Sequence, residues 1–160
     1  GKHLLALWIR HLCLCASAEK ALVAHRSVLI GKGSKGPRTM ILDSVDDPLK
    51  YLNELLILFR EGCQRALPFF PKSSYAYAMT YRTAYAKDEE EPTAIQKAIT
   101  AANQKWNDMK PKGKQVIPGE KSDAFIRRFY EDYEPFAFTT TEAMALALKI
   151  FEPILDHLEK

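Results

Sequence analysis

The stretch ALVAHRSVLIGKGSKGPRTMILDSVDDPLKYLNELLILFREG, residues 21–62, decides the fold. Its first part, Ala21 to Ile30, gathers Leu22, Val23, Val28, Leu29 and Ile30, an apolar, partly β-branched run that suits a strand. Gly31 to Gly36 is turn chemistry, and Thr39 to Leu42 is a second short apolar run. Two such runs around a glycine-rich turn predict an antiparallel hairpin. Asp46 and Asp47 then precede Pro48. A carboxylate there accepts from free backbone N–H groups, and proline is preset for a first helical turn, so a helix starts here. Leu49, Leu52, Leu56 and Phe59 recur at helical spacing and predict the face turned onto the sheet, with Gly62 closing the helix.

Outward from this unit the chain reads mostly helical. Leu4 to Ser17 is apolar on nearly every side, with Leu5, Trp8, Leu12 and Cys15 in one stripe, which predicts a buried helix. After Leu67 to Pro71, Ser73 or Ser74 is expected to cap a helix carrying Tyr77, Tyr81 and Tyr85. The acidic run Asp88 to Glu91 leads through Pro92 into a helix with Ile95, Ile99, Ala102 and Trp106 on one face, and negative charge suits its amino end. Lys110 to Lys121 is a Pro/Gly/Lys loop. Ser122 opens a short helix with Phe125 and Phe129. Thr139 and Glu142 form a capping box for the last helix, where Pro153 kinks or ends the regular part. The sum is a mostly helical α+β domain with one small sheet, a single domain over residues 1–160. It opens on Gly1 and reads as a piece of a longer chain.

Composition narrows the function. Apolar residues make up 47% and charged residues 27% of the chain, an ordinary globular balance. A net charge of +3 does not mark the whole chain as a nucleic-acid binder, so any phosphate contact must come from a local patch. No apolar run is long enough to span a bilayer. Cys13, Cys15 and Cys63 are an odd set, pointing to reduced, cytoplasmic cysteines rather than a disulfide framework. His11 and Cys15 lie one turn apart, but a zinc site wants four ligands and no second pair stands nearby; a core cysteine beside a partly buried histidine explains them. No metal or cofactor is expected.

Gly31-Lys32-Gly33-Ser34-Lys35-Gly36 matches the glycine string of dinucleotide sites. That chemistry needs a helix after the third glycine, with its free N–H groups facing the pyrophosphate. Pro37 and a strand-like run follow instead, so the string reads as a hairpin tip. Lys32, Lys35 and Arg38 cluster on this tip and are the candidate DNA-backbone contacts, beside the plainer reading of a solvated loop. Aromatics at the spacing of Tyr77, Tyr81 and Tyr85 can stack bases. With the acidic run close by, they read as the amphipathic edge of a core.

Hairpin followed by helix is also how two-metal nucleases of the PD-(D/E)xK type present their site. They carry an aspartate on the first strand, then an acidic residue, a spacer and a lysine on the second. Asp43 stands at the second-strand acidic position. Ser44 is the spacer, and Val45 occupies the lysine position. Ser27 to Ile30 offers no carboxylate. On the following helix, Leu55 and Phe59 take the positions where related nucleases place Gln and Tyr. The chemistry has been removed from the scaffold.

Leu7-Trp8-Ile9-Arg10-His11-Leu12, running to Cys15-Ala16-Ser17, resembles the opening of the carboxyl-terminal domain of the RecC family, the gamma subunit of exodeoxyribonuclease V. Tyr51-Leu52, Phe59-Arg60-Glu61-Gly62, Phe70-Pro71-Lys72-Ser73 and Gly119-Glu120 with Asp123 and Phe125 are similar to later landmarks of that family. The resemblance implies a degenerate nuclease-like core and a non-catalytic structural role in a helicase–nuclease that repairs double-strand breaks. The implied partners are RecB-like and RecD-like subunits and DNA, in the cytoplasm, with no membrane. The residues leave two alternatives open: an active nuclease using Glu54 or Lys50 from the helix, and a helical interaction module without a DNA role.

Overall fold

The computed structural model describes residues 1–17, 25–33, 36–110, 115–130, 132–137 and 141–159. It is α+β and mostly helical, with a small antiparallel sheet. The chain divides into two compact units, one of Lys2–Arg65 with Pro153–Lys160, the other of Ala66–Glu152 with Gly1.

The first unit opens with α1 (Lys2–Ser17), then β1 (Ser27–Gly33), β2 (Gly36–Leu42) and α2 (Pro48–Gly62). The predicted hairpin forms with Val28 opposite Ile41 and Gly33 opposite Gly36, so both strands reach further toward the tip than the apolar runs suggest. Gly36 sits at φ 141°, a conformation L side chains rarely adopt. Ala21–Ala24 lie outside the described residues. α1 buries one face rather than all of them: Leu4, Trp8, His11 and Leu12 point inward while Ile9 and Leu14 face water. Apolar residues on the outer side blur the stripe without burying it.

α2 starts as predicted, with Pro48 first and the Asp47 carboxylate accepting from the Lys50 N–H. Its inward face differs from the expected one. Leu58 is buried and Tyr51, Leu52 and Leu55 half-buried, whereas Leu49, Leu56 and Phe59 are exposed, and the helix packs on α1. α2 holds two apolar stripes of equal helical spacing, and periodicity alone does not choose between them. Residues past the last helix complete the sheet region: Leu158 bridges Leu42, the Asp43 N–H donates to the His157 carbonyl, and the Glu159 N–H donates to the Ile41 carbonyl.

The second unit contains α3 (Pro71–Tyr85), α4 (Glu91–Trp106), a 3-10 turn (Glu120–Ser122), α5 (Ala124–Tyr130) and most of α6 (Thr141–Asp156). Its core joins Phe70, Tyr77, Ile99, Trp106, Phe136 and Met144, with α3 packed along α4. The predicted α4 face is the buried one. Tyr77 is buried, Tyr81 half-buried and Tyr85 exposed, their rings stacked in sequence. Burial pushes the Tyr77 hydroxyl up to about 12.

Neither Ser73 nor Ser74 is the cap of α3. Phe70 occupies that position without a side-chain bond, and the carboxylate comes from far along the chain: buried Glu120 accepts from the Lys72 N–H (3.0 Å), the Ser73 N–H (2.8 Å) and the Ser73 hydroxyl (2.8 Å). Asp123, not Ser122, starts α5, accepting from the Phe125 N–H. Thr139 lies outside the described residues, so the capping box does too. α6 does not end at Pro153 but runs to Asp156, and the His157 ring N–H donates to the Pro153 carbonyl at 2.7 Å. No helix among the described residues is long and apolar enough to cross a membrane.

Candidate functional site

The base of the hairpin, in the first unit, holds Asp43, the residue compared with a nuclease carboxylate. Asp43 directly follows β2, and backbone pairing with residues 157–159 fixes its main chain. Its carbonyl accepts from His11 Nε2 at 2.7 Å, while His11 Nδ1 lies 2.9 Å from the Ser27 hydroxyl. A carbonyl can only accept, so Nε2 donates to it, and Nδ1 shares its hydrogen bond with the Ser27 hydroxyl. Both ring nitrogens are thereby engaged. Cys15, 3.6 Å from Nε2, completes no ligand set, and no group of three or more metal-ligating side chains forms among the described residues. His11 is a structural pin between α1, β1 and the Asp43 backbone.

The Asp43 carboxylate itself is taken by Arg26. Nε of Arg26 donates to Asp43 Oδ1 at 2.7 Å, and a terminal nitrogen donates to Glu159 Oε1 at 2.9 Å. One guanidinium therefore bridges two carboxylates. The Asp43 hydrogen bond, followed by the charges of Asp43 and Glu159, raises the Arg26 pKa. Val45 is buried and offers no charge. Of the alternative residues, Glu54 is half-buried on α2 and Lys50 lies 5.6 Å from the centre of the Tyr51 ring. Leu55 is half-buried and Phe59 exposed.

Arg26 and Glu159 escaped the reading of the sequence. Arg26 sits among strand-like residues with nothing to mark its partner, and Glu159 is 133 positions away. No local periodicity reports such a pair.

At the other end of the hairpin, Lys32 and Arg38 are exposed, and Lys35 lies outside the described residues. Lys32 pairs with Pro37 and Arg38 with Gly31, so the two cations occupy successive registers. Side chains alternate across a strand, which places Lys32 and Arg38 on opposite faces of the ribbon. The tip is basic on both sides rather than a one-sided patch. The glycine string lies wholly within hairpin and tip, and no helix follows Gly36.

Comparison with known proteins adds the family. The model of the RecC C-terminal domain matches residues 1–82. The chain belongs to the RecC C-terminal domain family. The RecBCD enzyme subunit RecC of Mycolicibacterium smegmatis is 37% identical over 81 residues, which is 49% of this chain and 7% of that subunit. The chain therefore spans a small part of the length of this curated relative. The RecC-family match takes in α1, the hairpin, α2 and most of α3. The landmarks at Glu120, Asp123 and Phe125 lie beyond it.

Proposed function

We propose that this chain is a non-catalytic, nuclease-like domain of a RecC-type subunit, forming one domain with the rest of a longer protein beyond it. Its role is structural, supporting assembly with RecB-like and RecD-like subunits and guiding DNA strands during double-strand-break repair in the cytoplasm. The carrying observation is the Arg26 bridge. Phosphodiester hydrolysis by this architecture needs a metal held by oxygens and a group that positions water. Here the half-exposed Arg26 guanidinium pairs with the Asp43 and Glu159 oxygens, and Val45 stands where such a nuclease carries its lysine. DNA contact is assigned to the hairpin tip through Lys32, Lys35 and Arg38. A two-stranded ribbon fits the major groove, and cations on both faces suit phosphates on both walls.

The test is to incubate linear duplex and single-stranded DNA with the protein in magnesium or manganese, beside an Asp43→Ala variant. No cleavage is expected from either. Metal-dependent cleavage that disappears in Asp43→Ala would overturn the silent-domain reading. Co-purification with the other two subunits tests the assembly role, and failure of the intact subunit to hold them would refute it.

A further inference from the structure

The hairpin has two edges, and they are guarded unequally. On β2, the Ile41 carbonyl and the Asp43 N–H are the groups that residues 157–159 bind, so these residues turn their backbone away from β1. Backbone groups alternate sides along a strand, which turns Thr39 outward as well. Val28 lies opposite Ile41, Ile30 opposite Thr39 and Lys32 opposite Pro37. Val28, Ile30 and Lys32 therefore turn their own N–H and C=O groups away from β2. Among the described residues, no further strand or backbone bond reaches that edge.

The same three residues share one face of the ribbon. Val28 is 52% exposed and Ile30 70%, and Lys32, Thr39 and Pro37 are exposed beside them. A Cβ placed on Gly31 would meet nothing within 4 Å, so the other face is open there too. On β2, residues 157–159 cover the base and Pro37, with no N–H to offer, blunts the tip. β1 carries no proline, and its single cation, Lys32, stands at the tip end. An apolar, β-branched edge is thus left with its backbone donors and acceptors unpaired by any described strand.

We propose that the β1 edge docks an extended segment of a partner protein, which joins the hairpin as an antiparallel strand. Main-chain bonds to Val28 and Ile30 hold the segment, apolar side chains at alternate positions cover those two residues, and a carboxylate meets Lys32. The chain already uses this mode on its opposite edge, where Leu158 bridges Leu42. A helix laid over Val28 and Ile30 would cover the side chains but leave the edge N–H and C=O groups unpaired. A second copy of β1 supplies no carboxylate, and in an antiparallel pair its Lys32 would face Val28, Ile30 or another Lys32. The segment is defined by its chemistry rather than by its subunit, which takes the inference beyond the assembly role proposed above.

The test uses the intact subunit that carries this chain and a labelled, end-blocked peptide, Glu-Thr-Val-Thr-Val, titrated to about 1 mM and followed by fluorescence anisotropy. Antiparallel pairing sets its glutamate opposite Lys32 and its valines opposite Ile30 and Val28. Saturable binding is expected. Methylating both valine amides removes the donors to the Ile30 and Val28 carbonyls and should weaken binding about ten-fold or more. Ile30→Pro removes an outward donor of β1 while sparing the bonds to β2, and should weaken binding about five-fold, with far-UV circular dichroism checking the fold. Lys32→Glu should weaken this peptide and favour Lys-Thr-Val-Thr-Val. No saturable binding, or binding indifferent to methylation or to the charge at position 32, would overturn the proposal. So would protection of the Val28 and Ile30 amides from hydrogen exchange in the subunit alone, which would give the edge to a segment of the same subunit. Ile30→Pro leaves every tip cation in place, so duplex binding measured on that variant stands or falls separately.

Discussion

Replacing Glu120 by alanine should be among the most damaging single changes in the second unit. Glu120 is buried and supplies the anionic cap that α3 lacks locally, receiving two backbone N–H groups and the Ser73 hydroxyl. Without it, the buried Ser73 N–H and hydroxyl lose their partner, at about 1–3 kcal/mol each, while Lys72 can turn to water. Loss of a negative charge at a helix start adds about 0.5 kcal/mol. A total near 4 kcal/mol is a large share of the roughly 5–15 kcal/mol that holds a domain folded. At about 2–4 °C per kcal/mol for a chain of this size, the melting temperature should fall roughly 8–16 °C. Glu120→Gln keeps one carbonyl oxygen but points amide hydrogens at an N–H, so it should cost about half as much. Urea unfolding at pH 7, followed by circular dichroism, measures both. A cycle with Ser73→Ala should give a coupling of at least about 1 kcal/mol. If Glu120→Ala costs less than about 1 kcal/mol, water caps α3 as well as the carboxylate does, and the reasoning fails.

Leu58→Ala, which empties a buried site on α2, should cost about 2–5 kcal/mol, while Leu56→Ala on the exposed side should cost under about 0.5 kcal/mol; the reverse order in chemical denaturation would restore the face read from periodicity. Removing the charges of Lys32, Lys35 and Arg38 together should flatten the slope of log affinity for duplex DNA against log salt by up to about 0.9 per charge, and an unchanged slope would return the tip to a solvated loop. The Tyr77 hydroxyl keeps its proton in the folded state up to about 12, against its ordinary 10.0. The folded chain thus binds more protons than the unfolded one in that window, so stability present below pH 10 drains away as pH rises toward 12. Tyr77→Phe should remove that part of the alkaline loss, and an unaltered alkaline profile would place the titration elsewhere.

Local chemistry made much of the fold legible. Asp47 with Pro48 and the α4 stripe each depend on neighbours a few residues apart, and each forms as read; the hairpin forms too, though its strands run into the glycine stretch. Facing was harder. α2 offers Leu49/Leu56/Phe59 and Tyr51/Leu55/Leu58 at the same spacing, and only α1 decides which turns inward. Phe125 and Phe129 read as an apolar pair, yet Ile126 and Tyr130 take the core. At the candidate site Asp43 and Val45 were legible in the sequence, but the Arg26 bridge to Asp43 and Glu159 was not. Arg26 meets Glu159 only after the chain returns from a whole second unit. Glu120 and Ser73 each belonged to stretches similar to RecC landmarks, though nothing in either stretch signalled their mutual bond.

The pairing of β2 with residues 157–159 sets an order on synthesis. When α1, the hairpin and α2 have left the ribosome, the Ile41 carbonyl and Asp43 N–H still await partners in a segment not yet made. Until Leu158 arrives, β2 stays an open edge, the kind that recruits strands from other chains. The nascent first unit must persist in that unfinished state throughout translation of the second, at about 5–20 residues per second. A fragment stopping after α3 would leave the Ile41 carbonyl and the Asp43 N–H without these partners.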